Sequence, residues 1–95
     1  MRFVSLELSE RPNKKYVIKF KEPNKTVHFG SKNSSTYLDH QDKVKRQNYL
    51  LRHSVNEDWG SINAGSLSAI ILWGKTTDLH ANLKYFLDKF NIEHY

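Results

Sequence analysis

The chain has no cysteine, one methionine, two prolines and four glycines in 95 residues. Without cysteine, disulfides and thiolate metal sites are excluded, and a small secreted, disulfide-stapled module is not expected. Long hydrophobic runs are missing as well. The longest, Ala69 to Trp73, falls far short of the roughly 20 residues that cross a bilayer, so no membrane contact is expected. The opening MRFVSLELSERPNKK carries charge early and alternates, unlike a signal peptide. Hydrophobic residues make up 38% of the chain, which is low for a globular domain and implies a polar exterior or a partner that covers part of it.

What is present is aromatic and basic. Five Phe, five Tyr and two Trp can supply much of a small core. A chain of this length is expected to form a single domain, residues 1–95. The net charge is +5 and lies unevenly: residues 1–59 hold 12 Lys and Arg against 7 Asp and Glu, whereas residues 60–95 hold 3 of each. Such a field attracts polyanions or acidic protein surfaces, although a solvated lysine-rich surface has the same composition.

Alternation over residues 3–8 predicts a strand with Val4, Leu6 and Leu8 on one face. Arg11-Pro12-Asn13-Lys14 reads as a turn. A second strand follows at Lys15–Lys21, with Tyr16, Ile18 and Phe20 together. Glu22-Pro23-Asn24-Lys25 repeats the turn, and Thr26–Phe29 is a third strand. The result is an antiparallel meander over 2–30, which needs helices to cover one side. Gly30–Ser35 is a loop by composition. Asp39 or Asp42 can cap a basic helix running to about His53, with Val44, Leu51 and Val55 near one face. After a loop at 60–65, Ser66–Trp73 reads as a short helix buried on most sides, with a strand over Ala69–Trp73 as the alternative. Gly74 is a candidate C-cap. Leu79, Leu83, Phe86, Leu87 and Phe90 form the stripe of a last helix, which Thr76 or Thr77 can cap and Asn91 can end. The helical part spans 39–92, and the expected class is α+β.

No reaction can be read from these residues. His28, Asp39, His40 and His53 are metal-ligand types, but their spacing matches no helical ligand pair, so no metal and no cofactor is expected. Glu57 with His53 can be drawn as an acid–base pair and equally as an ion pair. There is no nucleophile elbow and no phosphate loop, and no enzyme is expected. Ten basic residues form a candidate contact face: Lys14, Lys15, Lys19, Lys21, Lys25, Lys32, Lys43, Lys45, Arg46 and Arg52. They suit phosphates. Tyr37, Tyr49 and Trp59 would stack on bases if exposed, though the commoner fate of such rings is the core.

Several segments together carry a family resemblance: KKYVIKF, VHFGSK, His40-Gln41-Asp42, Arg46 to His53 as R-x-x-Y-x-x-R-H, then RHSVNEDW and AGSLSAIILWGK. Over roughly residues 15–90 the chain resembles an uncharacterised family of small proteins from large nucleocytoplasmic DNA viruses and large phages. Asn33-Ser34 departs from the glycine or aromatic usual after the family's lysine. The resemblance implies a viral protein of α+β fold and carries over no catalytic residue. Asp42, Arg46, Tyr49, Arg52, His53, Glu57 and Asp58 are then expected to form a structural network, with Trp59 and Trp73 packed together. The leading expectation is a non-enzymatic virion-associated protein, such as a minor capsid, cement or adaptor subunit, in contact with other virion or capsid proteins. Its expected location is the virion, or the host cytoplasm or nucleus before assembly. The alternatives are a basic nucleic-acid-binding accessory protein and, behind it, a metal-dependent nuclease.

Overall fold

A computed structural model describes residues 1–94. Three antiparallel strands, β1 (Arg2–Leu8), β2 (Lys14–Lys21) and β3 (Lys25–Ser31), form a sheet in chain order, joined by the two Pro-Asn turns. Then come α1 (Tyr37–His40), α2 (Lys43–Ser54), α3 (Ala64–Leu67) running into a π-helical turn (Ser68–Leu72), and α4 (Leu79–Lys89). The class is α+β. Strands and helices are segregated along the chain, as expected when a meander closes locally before its cover is added.

The core lies between one face of the sheet and the C-terminal helices. Ile18, Phe20 and Phe29 meet Leu67, Ile71 and Leu72 from the α3 segment, and Leu83, Phe86 and Leu87 from α4. Period two places Ile18 and Phe20 inward, with Tyr16 packed beside Phe29 at a ring separation of 5.9 Å. The free edge of β1 is covered by the C-terminal tail: Phe3 N–H donates to the Glu93 carbonyl at 2.8 Å, and Glu93 N–H donates to the Met1 carbonyl at 3.0 Å.

β1 does not follow simple alternation. Its register against β2 shifts between Phe3 and Ser5. A bulge of this kind turns side chains after it to the other face. Phe3 and Leu6, three residues apart, therefore both pack on the core and Val4 is exposed; Leu8, the last residue of the strand, is exposed as well.

α2 also differs from its expected orientation. No residue of it is buried. The side it turns inward carries Arg46, Tyr49, Leu50 and His53, and its aliphatic row faces water: Val44 is 67%, Leu51 61% and Val55 79% exposed. Asp42 is the N-cap, its Oδ1 accepting from Val44 N–H at 2.9 Å and Lys45 N–H at 3.2 Å. Asp39 serves α1 instead, accepting from Thr36 N–H at 2.8 Å.

Residues 64–72 are helical, not a strand, and Trp73 stands in the turn that follows. Gly74 does not close them through a left-handed backbone. It is buried where a Cβ would overlap the Ile70 carbonyl and the Asn82 side chain, so the position is held for close approach. Asp78, not Thr76 or Thr77, caps α4, its Oδ1 accepting from His80 N–H at 3.0 Å, while the Thr76 hydroxyl accepts from Asp78 N–H at 3.1 Å. Asn91, with φ 54°, follows the helix.

Candidate functional site

The inner side of α2 is joined to the end of the π turn by polar and aromatic contacts, not by aliphatic packing. The Tyr49 ring lies parallel to Trp73, with centroids 4.2 Å apart at 4°, and His53 stacks on the other side of Tyr49 at 4.0 Å. Arg46 Nε–H donates to the carbonyls of Gly74 (2.8 Å) and Trp73 (3.1 Å), and its guanidinium sits 5.6 Å from the Tyr37 ring centre. These carbonyls end a helical segment and have no partner of their own within it, so a cation there both satisfies them and meets the negative end of the dipole. His40 fills the remaining side of Trp73, with centroids 5.1 Å apart. Its Nδ1 accepts from Asp42 N–H at 3.0 Å. Its Nε2 is buried without a hydrogen-bond partner among the described residues.

Beyond His53 the chain reverses. A carboxylate only accepts, so His53 Nδ1–H donates to Glu57 Oε2 at 3.0 Å, and Trp59 Nε1–H donates to Oε1 at 2.9 Å. Both oxygens of Glu57 are thereby occupied. Burial pushes the Tyr49 phenol up to about 12, and the Glu57 charge adds to the shift.

A cleft of about 570 Å³ opens between this arrangement, the end of the sheet and α3. One wall is the loop after β3, with Ser31, Ser34, Ser35 and Thr36. The other is α2 with Tyr49, Arg52, His53 and Glu57, and the floor includes Ser68, Leu72 and Trp73. Lys14 stands at the sheet side. Gly30, at φ 79°, lets β3 pass above Leu72, where a Cβ would collide. Gly65 lies against the Glu57 carboxyl in the same way.

The expected network resolves into separate local devices. Asp42 caps α2; Arg46 ties α2 to residues 73 and 74; His53, Glu57 and Trp59 form one chain of hydrogen bonds. Asp58 orders its own turn, accepting from Ser61 Oγ–H at 2.8 Å and Gly60 N–H at 2.9 Å, which together hold its carboxyl below the usual range. Arg52 makes no ion pair or hydrogen bond among the described residues. Trp73 stacks on Tyr49 and not on Trp59.

The ten basic residues do not form one face. Lys15 is committed to the Ser34 carbonyl at 2.6 Å and Asp39 at 3.6 Å, Lys19 lies 3.7 Å from Glu7, and Arg46 points inward. Lys43, Lys45 and Arg52 are on α2; Lys21, Lys25 and Lys32 are exposed along the hairpin and the loop after it. The histidines are also dispersed. His28 pairs with Ser9, 2.8 Å from its Oγ, and is held below its ordinary value by desolvation and by Arg11, Lys14 and Lys19. Among the described residues no three His, Asp or Glu side chains gather in a metal-binding group.

Sequence reasoning missed Asn82. It is 2% exposed, and its Nδ2 donates to the carbonyls of Ile71 (2.9 Å) and Thr76 (2.8 Å) while Oδ1 accepts from Thr76 Oγ1–H (2.7 Å) and N–H (3.2 Å). An asparagine at the edge of an apolar helical stripe is the one signal that pointed to it.

Fold and site thus define a small α+β protein whose sheet is capped on one side by helices and whose basic helix α2 is attached by ring stacking and an arginine clasp. The chain belongs to a family of unknown function, DUF5754, whose model matches residues 4–53. The match takes in most of β1, which the resemblance over 15–90 left out, and ends one residue before α2 does. No curated protein and no solved structure gives a significant match to the chain.

Proposed function

We propose that this chain is a non-enzymatic virion-associated protein of a large DNA virus or phage, and that it works by docking the outer face of α2 against an acidic protein subunit of the particle. The viral assignment follows from the sequence resemblance. The docking face rests on one observation: Val44, Leu51 and Val55, at i, i+7 and i+11, all face water on a helix with four Lys and Arg and no acidic residue. The row runs about 16 Å along the helix. Lys43, Lys45 and Arg52 border it, so the complementary surface is apolar with an acidic rim.

Aliphatic side chains between the lysines are poor neighbours for phosphates. Two of the three rings that would stack on bases are engaged elsewhere, Tyr37 being buried and Tyr49 sandwiched between Trp73 and His53, and Trp59 is tied through its Nε1–H to Glu57. Protein is therefore favoured over nucleic acid.

Crosslinking with mass spectrometry on purified particles tests this. Crosslinks from Lys43 and Lys45 to an acidic coat subunit, at a fixed ratio and lost in Leu51→Glu, are expected. Absence from particles overturns the reading, as does steeply salt-dependent DNA binding that Leu51→Glu leaves intact.

A further inference from the structure

The cleft behind α2 has a different chemistry from the helix exterior, and it does not depend on the docking proposal. Its two unpaired cations, Lys14 and Arg52, stand on opposite walls, and neither has an ion-pair partner among the described residues. Ser31, Ser34, Ser35 and Ser68 bring hydroxyls to the same space. The one acid in the lining is Glu57, and its oxygens are already bound by His53 and Trp59. The hydrogen bond to Glu57 fixes Nδ1 as the donor side of His53, which leaves Nε2 as the ring's other polar atom.

The cleft is therefore cationic and lined with hydroxyl donors. Its volume, about 570 Å³, lies within the range of small-molecule sites. We propose that it binds a small phosphate monoester, for which a nucleoside monophosphate is the probe. Lys14 and Arg52 hold the phosphate between them, and the serine hydroxyls donate to its oxygens. Arginine suits this role because its fork of N–H groups matches two phosphate oxygens at once.

Titration of the ¹⁵N-labelled chain with adenosine monophosphate, inorganic phosphate and adenosine, followed by amide shifts, tests the site. Saturable shifts are expected with the monophosphate at residues 31–36, 52–57 and 68. Inorganic phosphate should move the same signals more weakly, and adenosine more weakly still. Arg52→Gln and Lys14→Gln, which remove side chains without partners, should each weaken binding about 10-fold while the rest of the spectrum is kept. Lys19→Gln should leave it unchanged. The proposal is overturned by no saturable shift up to about 10 mM monophosphate, by shifts that centre on Lys21 and Lys25 and persist in Arg52→Gln, or by adenosine binding as tightly as its monophosphate.

Discussion

Asn82→Asp is the sharpest perturbation available, because it changes two protons and almost no volume. The native amide donates to the carbonyls of Ile71 and Thr76 and accepts from the Thr76 hydroxyl and amide, so all of its hydrogen-bonding capacity is used at 2% exposure. A carboxylate keeps the two accepted bonds but turns the donor side into a second acceptor, set against two carbonyl oxygens. Each buried group left unsatisfied costs about 1–3 kcal/mol, and the charge loses its water as well. The expected loss is about 3–5 kcal/mol at neutral pH, a large part of the roughly 5–14 kcal/mol that holds a chain of this length. Urea unfolding should show the midpoint falling by about 2–3 M with the slope little changed. Asn48→Asp, on the exposed side of α2, is the matched control and should stay within about 0.5 kcal/mol. The deficit should narrow as the pH drops far enough to protonate the new carboxyl. If the midpoint of Asn82→Asp equals that of Asn48→Asp, the hydrogen bonds to Asn82 carry no stability and the account of the 74–82 corner is wrong.

Gly74→Ala should destabilise by several kcal/mol in the same assay, since the added methyl overlaps the Ile70 carbonyl and the hydrogen-bonded Asn82 side chain. Arg46→Met keeps the stem and removes the clasp on the Trp73 and Gly74 carbonyls, for an expected loss of about 2 kcal/mol. Tyr49 sets an alkaline limit: its phenol is raised from 10.0 to about 12, so the unfolded chain ionises first. Stability is intact below pH 10 and falls between pH 10 and 12, by about 1–2 kcal/mol from this group once solvent screening of a half-buried phenol is allowed for. Tyr49→Phe should lack that part of the loss when the two are compared by alkaline urea titration. Leu51→Glu should leave the melting temperature within about 2 °C, because the side chain is 61% exposed.

The parts of the fold that the sequence determined by itself are those where local periodicity and tertiary burial agree. β2 alternates Tyr16, Ile18 and Phe20 and puts them inward; α4 spaces Leu79, Leu83, Phe86 and Leu87 on one stripe and buries it. The Pro-Asn turns mark the meander, and Asp42 marks the start of α2, because turn and cap chemistry act over a few residues.

The rest required the assembled structure. A bulge in β1 has no residue signature here, yet it decides that Phe3 joins Leu6 inside while Val4 is left out. In α2 the aliphatic pattern points one way and the helix turns the other. The π turn presents Trp73 and two free carbonyls to it, and a tyrosine with an arginine satisfies that surface where valine and leucine cannot. The cleft is likewise made by distant segments, Lys14 from one strand, the serines after another, and Arg52 from a helix. Periodicity records which residues share a face; only the partner across the interface, brought there by long-range packing, decides which face is buried.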